Sequence, residues 1–391
     1  MNATRRRAAP AMRCAGGAVV IAACVLAAGC ASSPASAPPA TAVPAGPPPL
    51  ATASTGITGA GRAIVEMGGS AAQEDNFWEL FVRPAGNATW RLATPAGVAD
   101  NGGLEAAGFG ESLVAGFRPS QDLTFSPLAA TSDDGASWSA AGPVSPGLAD
   151  APDALASGSG GQLIALTSGG TAELGTNTGK TWTRLASVRA IMATPAGHDC
   201  GLTSLTAATF AGSQVPMLAG SCSRPGIAGI FADHGGSWQA AGPAVPRSLA
   251  GQDIGVLRLA ATGNGVVALL QAGSGATASL IAAWPDTGGW TLSAPLRIGA
   301  SGLRSTSSGP GQAVAVLLAG GHGETLSGPG SSWRALPRLP ASAAALALGP
   351  GGRVDALTAH AGTFADWRLE AGASWRLAQT MHVTIPYGSS S

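Results

Sequence analysis

The sequence predicts an all-β fold, a seven-bladed β-propeller of four-stranded blades, on three observations. A turn ending in tryptophan recurs seven times along 391 residues. Its tryptophans, Trp90, Trp138, Trp182, Trp238, Trp290, Trp333 and Trp375, are spaced by 48, 44, 56, 52, 43 and 42 residues. Between them lie short apolar segments divided by Gly-rich turns, and no long stretch carries the 3.6-residue apolar period of an amphipathic helix. Units of roughly 40–50 residues with four strands each are the signature of radial stacking.

The turn is clearest as "TSDDGASW" (Thr131–Trp138) and "FADHGGSW" (Phe231–Trp238). Further copies are "GTNTGKTW" ending at Trp182, "LSGPGSSW" at Trp333 and "RLEAGASW" at Trp375; "RPAGNATW" and "AWPDTGGW" are weaker. Asp133 and Asp233 are placed to accept backbone N–H groups and close the loop. Gly135, Gly179 and Gly235 stand where a positive φ is needed. Asn177 replaces the Asp in the third copy. The tryptophan opens the next strand and lays its apolar face on the hairpin, so each turn reads as a self-contained staple.

The strands follow the same order in each unit. After Trp138 come "DALASGSG", "GQLIALTSG", "TAELGTNTG" and "TWTRLAS"; after Trp182 come "LTSLTAATFA", "VPMLAGSCS", "GIAGIFADHG" and "SWQAAGP". Blade sheets are covered on both faces, which fits strands of Ala, Val, Leu and Gly without strict alternation. The first unit, Gly56 to Pro95, supplies three strands, whereas the chain runs on past the last tryptophan as "MHVTIPYGSSS". His382–Tyr387 is therefore expected to complete the first blade.

This turn resembles the Asp box, or bacterial neuraminidase repeat. In that family the repeat joins the third and fourth strands of each blade, on the rim away from the central site. The resemblance implies a propeller spanning residues 56–391. Its structural Asp-box positions are Asp133, Gly135 and Trp138; Asn177, Gly179 and Trp182; and Asp233, Gly235 and Trp238. A second seven-bladed family, which assists photosystem assembly, shares the turn.

Residues 1–29 read as a signal peptide, with Arg5, Arg6, Arg7 and Arg13 before an apolar run from Ala15 to Ala28. "LAAGC" (Leu26–Cys30) resembles the lipobox of bacterial lipoproteins, although its Leu lies one place early. The resemblance implies lipidation of Cys30 and a membrane partner through that anchor. Residues 30–55, almost wholly Ala, Pro, Ser and Thr after the Cys, read as a semi-rigid tether. The expected address is the outer face of a bacterial membrane, or the medium if Cys30 carries no lipid.

Removing the four N-terminal arginines leaves 17 basic against 21 acidic residues. No basic run or stripe is present, which argues against nucleic acid. Cys200 and Cys222 form an even pair in an exported chain and predict a disulfide. No metal-ligand spacing and no phosphate-cradling Gly-rich loop before a helix occurs, so no metal and no cofactor is expected.

Sialidases, the enzymes for which the Asp box is named, use a Tyr nucleophile with a Glu, an Asp and three Arg that clamp the substrate carboxylate. This chain has one Tyr, Tyr387, beside Pro386 and "GSSS". The sialidase-like glycoside hydrolase is thus the alternative, and non-catalytic binding or scaffolding of a protein or glycan is the expectation. Glu105, Asp153, Arg258 and Arg304, each about thirty residues before its tryptophan, are the candidate channel-binding residues.

Overall fold

The computed structural model describes residues 51–57, 63–68, 78–84, 86–95, 104–109, 112–117, 128–140, 152–167, 169–212, 214–262, 265–299, 302–341, 343–360, 363–369 and 374–382. The signal peptide, Cys30 and residues 31–50 of the tether lie outside them, as do residues 383–391 with Tyr387.

The strands form seven antiparallel sheets in chain order, each a four-stranded meander, the fifth with one added short strand. First strands pack on one another between the second and third, third and fourth, fourth and fifth, and sixth and seventh sheets, and the first sheet's first strand packs on those of the sixth and seventh. The architecture is an all-β propeller with four-stranded antiparallel blades. Second strands carry buried runs, as in Leu163–Thr167 and in Val266–Leu270 within the strand Gly265–Ala272. That explains their unbroken apolar sequence.

The first sheet corrects the expected closure. Ala51–Ile57 pairs with Ala63–Gly68, so this sheet has four strands of its own. Trp375–His382 instead pairs with Thr363–Leu369 as the last strand of the seventh sheet. His382 therefore does not join the first blade, and residues 383–387 lie outside the described residues. The physical reason sits within the span read as tether. Past Pro49 no proline removes a ladder donor, and Thr52, Thr55 and Ile57 are β-branched.

Without strand exchange, the first and seventh sheets meet through side chains. Phe81 stacks on Phe364 with ring centroids 4.2 Å apart, and Trp90 meets Phe364 edge-on. Arg83 and Asp355, both fully buried, form an ion pair across the seam. Arg368 donates to the Ala88 carbonyl at 2.8 Å.

The long spacing from Trp182 to Trp238 holds two short helices, Val188–Met192 and Pro195–Cys200. Ser187 caps the first by accepting from the Ala190 N–H, and Thr194 caps the second from Gly197. Pro195 opens the second helix and Gly201, at φ 65°, ends it. Cys200 is the last residue of that helix. Its disulfide with Cys222 ties this insertion to the second strand of the fourth sheet.

Candidate functional site

The recurrent turn sits between the third and fourth strands of its sheet. In the second sheet the Asp133 carboxylate accepts from the Ser137 N–H at 2.9 Å and the Ser137 hydroxyl at 2.6 Å. It also accepts from the Thr131 hydroxyl at 2.6 Å. These bonds hold its carboxyl well below the usual carboxylate range. Asp233 accepts only from the Gly236 N–H, at 2.7 Å. Asn177 and Thr178 both adopt positive φ, the geometry of a tight hairpin turn that Asn tolerates without a carboxylate staple. Gly135, Gly179 and Gly235 have φ of 84°, 81° and 69°. Asp286, in one of the weaker copies, accepts from Gly288 N–H and the Thr291 hydroxyl, so it staples its turn as well.

The tryptophans do more than cover their own hairpins. Trp138 donates its indole N–H to the Ala93 carbonyl of the preceding sheet at 2.9 Å. Trp290 does the same to Ala241, Trp333 to Ala294 and Trp375 to Pro337. The acceptors lie three or four residues past the preceding sheet's own tryptophan. The staple is thus not self-contained: it stitches each of these sheets to its neighbour. Trp182 departs from the pattern and donates to Gly179 in its own turn. These turns carry structure, and chemistry must be sought at the centre.

A second repeated feature lies on the first strands. In six sheets the pairing with the second strand skips a residue near the same place, leaving Ala53, Asp153, Thr206, Leu257, Arg304 and Ala344 as bulge residues; the fourth sheet also skips Thr203. The residue after each of the six shared skips pairs with the fourth or fifth residue of the second strand. In the remaining sheet Glu105 holds the same place without a bulge, opposite Gly116. Bulges re-aim side chains and bend the strand. Glu105, Asp153 and Arg304 are therefore equivalent positions on the second, third and sixth sheets. Arg258 comes one residue past that position on the fifth.

A cavity of about 450 Å3 opens among these first strands. Arg258 and Arg304 line it, with Ala106, Ala154, Leu155, Thr206 to Ala208, Leu257 and Ser305. Arg258 Nη1 donates to the Thr306 hydroxyl at 3.2 Å, and Arg304 Nη1 to the Ala343 carbonyl at 2.9 Å. Each guanidinium is thus fastened to the next sheet round. Thr206 continues the series, donating to the Val256 carbonyl at 2.9 Å. Of the four sequence candidates, Arg258 and Arg304 share this wall. Glu105 and Asp153 are neighbours in sequence of the lining residues Ala106 and Ala154.

Sequence reasoning missed Thr206, Leu257, Gln271 and Thr306, which also line the cavity. The bulge that makes Thr206 and Leu257 equivalent to Arg304 leaves no residue-type signal. Only the spacing to the tryptophan marks it. Among the described residues, no group of three or more His, Cys, Asp or Glu is placed to hold a metal ion.

No family model matches the chain, and no curated protein matches it. Solved structures do. A putative 6-phosphogluconolactonase from Bacteroides fragilis is similar at 11% identity with a TM-score of 0.51, covering 88% of this chain and 97% of the other. YCF48 from Cyanidioschyzon merolae is similar at 16% identity and a TM-score of 0.50, over 80% and 94% of the two chains. The SapL1 lectin in complex with alpha methyl fucoside, at 13% identity, covers 88% and 98% with a TM-score of 0.42. The first two likenesses are of fold, and the fold they share with this chain is the β-propeller.

Proposed function

We propose that this chain is a non-catalytic binding or scaffolding protein. All seven sheets act as blades of one ring, and a ligand seats in the cavity lined by Arg258 and Arg304. The observation that carries the reading is the convergence of two guanidiniums from neighbouring sheets on one cavity of about 450 Å3. That volume lies in the range of small-ligand sites, roughly 300–1,000 Å3. A guanidinium's planar fork suits carboxylate and other oxyanions, and charge-assisted bonds to it are the strong ones. Fastening one nitrogen of each to the next sheet lowers the ordering cost on binding. The ligand is accordingly a protein or glycan that presents an anionic group.

The sequence supports an address for this activity. In this reading residues 1–29 are cleaved, Cys30 is lipidated, and the Pro-rich segment holds the propeller off the outer face of a bacterial membrane. Cys30→Ala should then release the protein into the medium or block maturation. Membrane retention with normal cleavage rejects the anchor.

The binding test is an array of acidic and neutral glycans beside peptides with free and amidated C-termini. Hits should be anionic. Arg258→Ala and Arg304→Ala should each weaken them about tenfold or more while both variants stay folded, each losing about 1 kcal/mol with its bond to the next sheet. Unchanged binding in both variants would show that the ligand sits elsewhere.

A further inference from the structure

The seam that closes the ring carries a charge imbalance. Three guanidiniums, Arg83, Arg353 and Arg368, meet two carboxylates, Asp355 and Asp366. Asp355 Oδ1 faces Arg353 Nε at 3.5 Å and Arg368 Nε at 3.3 Å, while its Oδ2 takes Arg83 Nη1. Asp366 Oδ2 accepts from Arg368 Nη2 at 3.2 Å. Among the described residues the cluster is therefore one negative charge short.

The inner part of the cluster lies away from water. Arg83, Asp355 and Asp366 are fully buried, and among the described residues Arg83 Nη2 has no hydrogen-bond partner. Trp90 covers one side of the Arg83 guanidinium, its ring centroid 4.9 Å away. A buried charge that is not paired is expensive, so it either loses its proton or recruits a counter-ion. Burial, helped by Arg353, lowers the Arg83 pKa to about 9, which leaves the group charged at neutral pH. Burial also raises the Asp366 pKa and so weakens that residue's share in neutralising the cluster.

We propose that this seam binds a small monovalent anion of chloride type, held by the Arg83, Arg353 and Arg368 cluster. Arg353 and Arg368 reach the surface, with side chains 23% and 19% exposed, and give the ion its route in. The anion balances the buried charge at the point where the first and last sheets close without exchanging a strand. Closure of the ring thereby becomes sensitive to the anion in the medium. The site is separate from the central cavity and does not depend on what that cavity binds.

The test melts the purified protein in sodium chloride and in sodium gluconate at matched ionic strength. A bound ion stabilises the folded state by mass action, so the melting temperature should be higher in chloride by about 2–5 °C and level off as chloride rises. Arg353→Gln removes the excess charge. It should abolish the chloride increment while melting in gluconate at or above the wild type. Equal melting of the wild type in the two salts overturns the proposal, as does an unchanged increment in Arg353→Gln. If that variant fails to fold, chloride-35 line broadening by the wild type decides. Saturable broadening that bromide displaces supports the site, and its absence overturns it.

Discussion

Gln379 holds the backbone of Trp90 by both ends of its amide, although 289 residues separate them. Its Oε1 accepts from the Trp90 N–H at 2.6 Å and its Nε2 donates to the Trp90 carbonyl at 2.6 Å. A side chain on the last strand of the seventh sheet thus does for the first sheet what a paired strand would do. It satisfies a backbone donor and acceptor together.

Gln379→Ala removes both bonds and leaves two part-buried backbone groups seeking water. The expected loss is about 1–3 kcal/mol in urea unfolding, with an unchanged m-value. A variant as stable as the wild type would show that the other seam contacts, the Phe81–Phe364 stack and the Arg83–Asp355 pair among them, suffice to close the ring.

Trp290→Phe keeps an aromatic face but deletes the N–H that reaches the Ala241 carbonyl at 2.9 Å. A cost of about 1 kcal/mol is expected. Trp182→Phe should cost a similar amount, yet only Trp290→Phe should speed hydrogen exchange in the preceding sheet, because Trp182 bonds within its own turn. Identical exchange patterns in the two variants would contradict the stitch between sheets.

The Asp133 turn makes a pH prediction. The folded carboxyl titrates below its unfolded value of about 3.9, so its contribution is present above about pH 4 and is lost as the pH falls further. The melting temperatures of wild type and Asp133→Ala should differ by a constant amount from pH 5 to 8. The gap should close progressively below pH 4. A gap that persists unchanged at pH 2 would mean the carboxylate's hydrogen bonds are not its source.

Cys200 and Cys222 close a loop of 22 residues. Replacing both with Ala should lower stability by about 3 kcal/mol in the chain-entropy account. Proteolysis of the variant should begin in the two short helices, since the bond ties them to the fourth sheet. First cleavage elsewhere would show that the caps at Ser187 and Thr194 suffice.

No release of a fluorogenic aryl group from an aryl-sialoside is expected. Two arginines, not three, line the cavity among the described residues, and the sequence sets the single tyrosine, Tyr387, between Pro386 and "GSSS". Turnover that Tyr387→Phe abolished would replace the binding reading with the glycosidase.

The repeat was legible before any coordinates. A Trp every 42 to 56 residues and a Gly at each positive-φ turn are local demands, met by residue type at fixed spacing. The positions of Glu105, Asp153 and Arg304 could be counted from those tryptophans, because each unit repeats the same strand order over a similar span. The pairing of Arg258 with Arg304 on one cavity wall needed the tertiary structure, as did the indole bonds from one sheet to the next. The same holds for ring closure. The sequence suggested a C-terminal strand for the first sheet, yet Ala51–Ile57 takes that place and side chains such as Gln379 and Arg83 fasten the seam. Local sequence determines hairpins, since their hydrogen bonds join residues a few positions apart. Which distant sheets meet, and which charges they bury together, is decided only when hundreds of residues pack at once.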